Sequence, residues 1–167
     1  KVSKSDILRN NPQTAADLLN QSGTVFIQKS QLGGGSPMIR GFATNRILLV
    51  IDGVRMNNAI YRSGNLQNII SIDALSIQTA EVIFGPGSLV YGSDAIGGVM
   101  DFHTLNAGFA KEKKIQVSGN ALARYSSANK ENTFHADINL GSKKWSFLSS
   151  ITYSKFDDLK MKVLIPQ

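Results

Sequence analysis

The residue types that could do catalytic chemistry are few in this chain of 167 residues, and their spacing matches no catalytic motif. The two glycine-rich turns, at residues 33–35 and 85–87, are not followed by the Gly-Lys-Ser/Thr that a phosphate-binding loop requires. No nucleophile, base and orienting residue form an evident trio. We therefore predict no catalytic residue and no enzyme activity.

Metal-binding residue types are also sparse. The chain has no cysteine, which excludes disulfides and thiolate metal sites. Its two histidines, His103 and His135, fall in predicted strands, where we interpret both as structural hydrogen-bonding residues. The sequence thus predicts no metal site and no bound cofactor.

The net charge of +6 is concentrated in the second part of the sequence. Residues 1–108 hold 8 basic and 7 acidic side chains, a difference of +1, whereas residues 109–167 hold 10 and 5, a difference of +5. The lysines of the second part lie at the ends of predicted strands, as solvated turn residues do, rather than along one element with interleaved aromatic residues. We therefore predict no nucleic-acid partner.

The first part of the sequence predicts short helices and strands separated by glycine-rich turns. Asn11 and Pro12 suit the N-cap and the first position of a helix that ends at Leu19. The five apolar residues at 47–51 predict a strand buried on both faces, and Asp52-Gly53 predicts a turn after it. The other predicted elements are strands at 24–29, 38–42, 80–84 and 99–104, a helical turn within 69–75, a short helix capped by Ser88 and ended by Gly92, and loops at 33–36, 43–45 and 57–68.

The sequence after Gly108 has a different pattern. From Ile115, Thr133 and Trp145 onward, apolar and polar residues alternate over about nine to eleven residues in three predicted strands. Tilted transmembrane barrel strands have this length and these two faces, although soluble sandwiches share the alternation. No run of about 18 apolar residues predicts a transmembrane helix. Because closed barrels begin at about eight strands, we expect the sequence to be cut short at its C-terminal end.

Three segments together resemble a known family: EVIFGPGSLVYGSDAIGGVMDFHT at residues 81–104, IRGF at 39–42 and ILLVIDGV at 47–54. In order and spacing they resemble the plug of a TonB-dependent outer-membrane receptor. The resemblance implies an α+β fold: a small mixed-sheet plug domain with short helices over residues 1–107, then three antiparallel strands from the start of a truncated 22-stranded transmembrane β-barrel over residues 108–167. The motif residues that would shape the plug are Gly41, Asp52, Gly53, Gly85, Pro86, Tyr91, Gly92, Gly97 and Gly98.

The resemblance also implies a task and a location. The family imports large, scarce nutrients across the outer membrane of Gram-negative bacteria, with energy delivered through TonB. We expect haem or a ferric siderophore as the imported ligand, with cobalamin as a third candidate. The expected partners are TonB, through a segment upstream of this sequence, the rest of the β-barrel, and outer-membrane lipid. The stretch alone is not expected to transport, and its free strand edges and apolar faces predict self-association.

By their position in such a plug, three loops would face the ligand. Their candidate ligand-facing residues are Gln31, Ser36, Thr44, Asn45, Asn57, Asn58, Tyr61, Arg62, Asn65 and Gln67. Tyr61 and Arg62 would stack on and pair with an anionic ligand such as a ferric chelate or a haem propionate. The sequence NNAIYR at residues 57–62 resembles haem receptors slightly more than siderophore receptors.

Arg40 is the residue that the resemblance assigns to plug–barrel anchoring, through glutamates of the barrel that lie outside this sequence. The family commonly has an arginine before the Gly-Pro turn, where this chain has Phe84. We expect an apolar contact there in place of a second charge pair, with Arg46 and Arg55 as alternative cations.

Two alternatives stay open. A glycan-importing member of the superfamily usually has a lysine-aspartate turn where this chain has Gly85-Pro86-Gly87-Ser88, and is ranked lower for that reason. A soluble interaction module of mixed fold would explain the first part of the sequence, but would leave the long two-faced strands unexplained.

Overall fold

A computed structural model of the chain describes residues 1–20, 23, 25–29, 35–43, 46–56, 72–111, 115–127 and 129–157. The chain divides into two compact units, Lys1–Leu105 and Asn106–Gln167. Among the described residues, no helix is long and apolar enough to cross a membrane.

The first unit combines short helices with two sheets. Its helices are α1 (Lys4–Asn10) and α2 (Ala15–Asn20), and its strands are β1 (Val2–Ser3), β2 (Phe26–Lys29), β3 (Gly35–Ile39), β4 (Phe42–Ala43), β5 (Ile47–Ile51), β6 (Val54–Arg55), β7 (Ile77–Ile83) and β8 (Gly98–Thr104). In the described part of this unit, 3-10 helices cover Ala74–Ser76, Gly85–Tyr91 and Ser93–Ala95. The larger sheet has the strand order β1-β7-β8-β5-β6, with β5 and β8 parallel, and the smaller has the order β2-β3-β4.

Strand β5 lies between β8 and β6 in the larger sheet and is buried on both faces, as its apolar sequence predicts. Ile47 and Leu49 join the main core with α1, α2 and Phe102. Leu48 and Val50 point to the other face, where they form a second cluster with Ala95 and Val99. Burial on both faces explains why this segment lacks the polar alternation of the later strands.

The helix that ends near Leu19 is present as α2, but its predicted start at Asn11 and Pro12 is wrong. Asn11 instead ends α1: it lies in the left-handed region at φ 44°, and its N–H donates to the carbonyl of Ile7. Helix α2 is capped by Thr14, whose hydroxyl accepts from the N–H of Asp17 at 3.2 Å while the Asp17 carboxylate accepts from the N–H of Thr14 at 3.1 Å. This reciprocal capping box was the stronger start signal.

The strand predicted over 38–42 is also wrong, because it is interrupted by a turn. Arg40 and Gly41 both have positive φ, at 48° and 83°, and connect β3 to β4 as a two-residue hairpin loop. The loop predicted over 33–36 ends earlier than expected, since Gly35 and Ser36 belong to β3. Residues 31–34 lie outside the described residues.

The predicted role of Ser88 as a helix cap is wrong as well. The 3-10 helix already begins at Gly85, with Phe84 at the N-cap and no side-chain cap. Ser88 lies inside it and donates its hydroxyl hydrogen to the carbonyl of Gly85 at 2.8 Å. Gly92 ends the helix, as predicted. The helical turn predicted before β7 is present at Ala74–Ser76, and Asp73 caps it.

The second unit is an antiparallel sheet of β9 (Gln116–Ser126), β10 (Glu131–Gly141) and β11 (Ser146–Lys155), with β10 in the centre. The three predicted strands are confirmed. In their register, residues that pair across neighbouring strands lie on the same face of the sheet. Phe134 pairs with Ala123 and Tyr153 on the apolar face, and His135 pairs with Leu122 and Thr152 on the other. The mixed α+β unit followed by antiparallel strands confirms the predicted fold class.

Candidate functional site

The ligand-facing candidates fall almost wholly in the parts of the chain that the structure does not describe. Those outside the described residues are Gln31, Thr44, Asn45, Asn57, Asn58, Tyr61, Arg62, Asn65 and Gln67. Ser36 lies in β3 by its backbone. The ligand-facing surface therefore stays a prediction, and the structure describes the turns and strands of the rest of the first unit.

Arg40 projects from the hairpin turn between β3 and β4 and is exposed. Its guanidinium carbon lies 4.9 Å from the centroid of the Phe84 ring, within the range of a cation–π contact. Phe84 is half-buried and packs on the main core. A ring that covers one face of a guanidinium leaves its N–H groups, which lie in the guanidinium plane, able to pair with a carboxylate.

Gly97 and Gly98 allow β4, β5, β7 and β8 to come close together. The N–H of Gly97 donates to the carbonyl of Arg46 at 2.7 Å. A Cβ at Gly97 would stand 2.6 Å from the Cβ of Phe42, and one at Gly98 would stand 3.1 Å from the Ile83 carbonyl oxygen. Gly98 also has a φ of 137°, so only glycine fits this crossing without strain.

Asp52 has two tasks at the end of β5. Together with Gly53 it forms the turn to β6, with φ values of 49° and 80°. Its carboxylate accepts from the N–H of Thr104 at 2.9 Å and from the hydroxyl at 2.7 Å. These hydrogen bonds, the side-chain one first, lower the pKa of Asp52 below its ordinary value of 3.8. The carboxylate therefore fixes the last residue of β8 to the β5–β6 turn.

A polar cluster that the sequence analysis missed lies on the second face of the larger sheet. Asp101 is buried in β8, and its Oδ2 lies 3.3 Å from Nε2 of His103 and accepts a long hydrogen bond from the Tyr91 hydroxyl at 3.4 Å. Burial, followed by the charge of Asp101, raises the pKa of Tyr91. An acidic residue inside an otherwise apolar strand was the available signal.

The glycine-rich segment around Gly85–Tyr91 displays apolar side chains outward. Gly85 and Gly92 bound the helix with φ values of 63° and 95°, and Pro86 occupies its first turn. Leu89 and Val90 are 69% and 86% exposed, and Ile96 is also exposed. Such side chains suit a segment that packs against another surface.

The second unit has a ladder of polar contacts on the face opposite its apolar one. Arg124 donates from Nε and Nη2 to Oε1 of Glu131 at 2.8 and 2.6 Å. Nδ1 of His135 lies 2.6 Å from the Thr152 hydroxyl, and Nε2 lies 3.5 Å from Asp137. Glu131, His135 and Asp137 are buried, so these contacts satisfy charged and polar groups away from water. His135 is thus a structural hydrogen-bonding residue.

Within the described part of the chain, no group of three or more His, Asp or Glu side chains could hold a metal ion. The described residues of the candidate site thus form a scaffold of turns and close backbone crossings.

Comparison with known proteins identifies this scaffold. The family described as TonB-dependent Receptor Plug Domain matches residues 1–99. The chain belongs to this family.

Three relatives of the plug domain carry names that refer to vitamin B12, heme or hemin. The chain is 34% identical over 127 residues to the vitamin B12 transporter BtuB of Vibrio vulnificus (strain CMCP6), covering 74% of this chain and 20% of the relative. It is 38% identical over 113 residues to heme/hemopexin utilization protein C of Haemophilus influenzae (strain ATCC 51907 / DSM 11121 / KW20 / Rd), covering 64% and 14%. It is 34% identical over 95 residues to the hemin receptor of Yersinia pestis, covering 56% and 14%. The chain spans a fifth or less of the length of these relatives.

Solved structures share the fold of the plug domain and the strands after it. The copper transporter OprC superposes with a TM-score of 0.74 at 20% identity, over 87% of this chain and 22% of its own. A ferric enterobactin receptor of Pseudomonas aeruginosa superposes with a TM-score of 0.69 at 20% identity, over 95% and 24%. The relatives are receptors and transporters, not enzymes, which agrees with the lack of a predicted catalytic residue.

Proposed function

We propose that this chain is the plug domain and the first wall strands of a TonB-energised importer in the outer membrane of a Gram-negative bacterium. The observation that supports the proposal best is the order of the two units along the chain. A unit of the plug family is followed by a sheet whose apolar face is exposed and whose polar face is buried along its central strand β10. That sheet suits the wall of a barrel whose outer face contacts lipid and whose inner face is polar.

The dimensions of the sheet support a wall position. Tyr125 pairs with Asn132 near one end of the apolar face, and Trp145 lies next to the pair of Gly141 and Ser146 at the other. About ten residues separate the two levels, which corresponds to roughly 33 Å along a strand and roughly 25 Å across the bilayer for a tilted one. Aromatic side chains at both ends of such a band are typical of outer-membrane barrels.

The imported ligand in this proposal is haem or a ferric siderophore, with cobalamin as a third candidate. Relatives named for vitamin B12, haem and hemin support this class of large nutrients. The ligand would contact the loops that contain Tyr61 and Arg62, because an aromatic ring and a guanidinium suit an anionic chelate or a propionate. TonB would engage a segment upstream of Lys1, and the rest of the barrel would enclose the plug.

Arg40 would anchor the plug to the wall of the barrel. Its left-handed backbone conformation costs roughly 1 to 3 kcal/mol for a residue other than glycine, which suits a position selected for its side chain. The Phe84 ring, 4.9 Å from the guanidinium carbon, would hold the side chain in place. Arg40 would then offer its in-plane N–H groups to a wall carboxylate, and Phe84 would take the place of a second anchoring arginine.

Growth and binding with the full-length receptor test the proposed function. Haem, ferric enterobactin, cobalamin and maltodextrin are offered in turn as the sole source, in cells with and without TonB. We expect TonB-dependent growth on haem or the siderophore that falls with Tyr61→Ala, while Tyr125→Ala, on the exposed face of the second unit, leaves ligand binding unchanged. Growth on maltodextrin alone would show that the ligand is a glycan rather than haem or a siderophore. Growth independent of TonB would refute the proposal of a TonB-energised importer.

The anchor is tested by Arg40→Asn in the same receptor. Asparagine tolerates the left-handed turn, so the hairpin should keep its shape while the cation is lost. We expect import to fall with unchanged membrane insertion. Arg9→Asn is the control, because the exposed Arg9 pairs with Asp6 of its own helix and is not a candidate for the anchor. Unchanged import in Arg40→Asn would contradict the anchor.

A further inference from the structure

The connection between the two units is short and hydrogen-bonded at both ends. Within the first unit, the N–H of Leu105 donates to the carbonyl of Ser76 at 3.0 Å. Within the second unit, the N–H of Gly108 donates to Oδ1 of Asn139 at 2.9 Å. Only two residues separate these two bonded positions along the chain.

Asn139 binds the peptide groups of Gly108 with both ends of its carboxamide. Besides accepting from the Gly108 N–H, it donates from Nδ2 to the Gly108 carbonyl at 3.2 Å. An antiparallel strand pairs with its neighbour through the same two groups of one residue. The side chain of Asn139 therefore replaces a strand partner for a segment that forms no strand itself.

The adjacent turn completes the contact. The N–H of Ala110 donates to the carbonyl of Ser142 at 3.2 Å, and Ala110 is only 7% exposed. A Cβ added at Gly141 would overlap the Gly108 carbonyl oxygen and stand 3.0 Å from the Ala110 nitrogen. The segment thus lies directly on the backbone of Gly141. We call these five residues, Gly108, Ala110, Asn139, Gly141 and Ser142, the linker clamp.

The clamp lies beside the short turn between β10 and β11. Short turns lie at the periplasmic end of outer-membrane barrels, so the proposed function puts the clamp at that end. The backbone from Leu105 to Gly108 can reach at most about 11 Å when fully extended. A pull on the plug would therefore load the clamp with almost no slack.

We propose that Asn139 is a positioning residue that holds the linker on the sheet of the second unit and keeps hold of it during transport. The proposal rests on the proposed function, since transport is the activity during which the clamp would be loaded. Asn139 acts through the position of the linker and contacts no ligand.

Thiol labelling of Ala110→Cys in a cysteine-free background of the full-length receptor tests the clamp at rest. Ala110 is buried within the clamp, so a cysteine at this position should react slowly with a small maleimide. Ser127→Cys, at an exposed turn, should react fast. Adding Asn139→Ala should raise labelling at position 110 by about tenfold, the effect expected for the loss of two hydrogen bonds. Asn132→Ala is the matched control, because its amide donates to the Lys130 carbonyl on the same strand.

The same labelling during import tests whether the clamp stays closed. Haem, ferric enterobactin, cobalamin and maltodextrin are each supplied to energised cells, with uncoupled cells as the reference. We expect position 110 to stay protected in the presence of Asn139, and to become labelled on energisation in Asn139→Ala, with import reduced several-fold. Energy-dependent labelling with Asn139 intact would overturn the proposal, as would resting labelling unchanged by Asn139→Ala.

The two proposals fail in different ways. A receptor that imports none of the four sources would refute the proposed function, while the resting comparison of Asn139→Ala with Asn132→Ala would still show whether Asn139 holds the linker. Normal import together with increased resting labelling in Asn139→Ala would overturn the retention role and leave the importer intact.

Discussion

The two units of this protein place their large side chains in opposite ways. In the first unit, Met100 and Phe102 of the central strand β8 are fully buried. In the second, Phe134 and Ile138 of the central strand β10 are 51% and 45% exposed, while His135, between them in sequence, is 1% exposed. Both strands are extended and lie between two neighbours, so the local conformation does not explain the difference.

This difference between the two units indicates that the faces of their sheets are suited to different surroundings. An apolar face that stays exposed beside a hydrogen-bonded polar face is the reverse of what water selects, and suits a sheet with lipid on its outer side. The plug keeps the ordinary arrangement, with apolar clusters on both faces of its larger sheet. One chain thus obeys two rules of burial, and each rule can be tested by substitution.

The largest expected contrast is between two phenylalanines in central strands. Phe102→Ala should cost about 3–5 kcal/mol of unfolding free energy, because it opens a cavity in a fully packed core. Phe134→Ala removes a side chain that already faces outward, so its cost should be about 1 kcal/mol or less. Denaturant unfolding of the chain in detergent micelles measures both. Equal costs would contradict the two rules of burial.

Breaking the buried ion pair of the second unit should have a comparable effect. Arg124→Ala removes the cation that pairs with the buried Glu131 carboxylate and leaves the Thr133 hydroxyl as a neutral donor to it, which should destabilise the sheet by up to about 3–5 kcal/mol. Arg124→Ala combined with Glu131→Ala should recover part of that loss. Denaturant midpoints in micelles check both variants, and a single variant as stable as the parent would show that water reaches this face.

A charge added to each face of β11 sharpens the comparison. Ile151→Arg, near the middle of the apolar face, should reduce stability in lipid by about 2–4 kcal/mol. Ser150→Arg, its neighbour on the polar face, is the matched control and should cost less. Folding of the full-length receptor into vesicles, followed by its heat-dependent gel mobility, measures the difference. A larger loss for Ser150→Arg would reverse the assignment of the faces.

The smallest effect concerns the turn that holds β8. Hydrogen bonds from Thr104 depress the pKa of Asp52 in the folded state, so the ionised carboxylate stabilises the fold above pH 3.8. This contribution should disappear as the pH falls from 3.8 through the lower folded pKa. Asp52→Asn keeps the turn, so the stability gap between parent and variant should shrink on acidification. A gap that widens below pH 4 would contradict the linkage.

Most of the architecture could be predicted from local patterns. The apolar run at Ile47–Ile51, the Asp52-Gly53 turn and the alternating strands are signals that short stretches express alone. Helix α1 was missed and the start of α2 misplaced, although Ser3 with Asp6 and Thr14 with Asp17 form capping boxes. The turn at Arg40 was missed because arginine rarely adopts a positive φ.

The candidate site was less accessible from the sequence. The resemblance placed Arg40 at an anchor, but its contact with Phe84 joins residues 44 positions apart that no local pattern connects. Asp101 was not singled out, although an acidic residue among the apolar residues of a strand is a signal, and Asn139 was not singled out because a polar residue in an alternating strand carries none. Their partners, His103 with Tyr91 and the Gly108 peptide, become visible only once the strands are aligned.

The sequence by itself determined the family, the two kinds of strand and the glycines at which backbones cross, because each depends on residue type and near spacing. The tertiary structure decided which side chains meet across those strands: the ring under Arg40, the carboxylate of Asp52 on Thr104, and the carboxamide of Asn139 on the linker. It also decided which face of β10, the central strand of the second sheet, is buried. Period-two alternation separates two faces but does not say what covers either one, since burial is a property of the packed chain and its solvent.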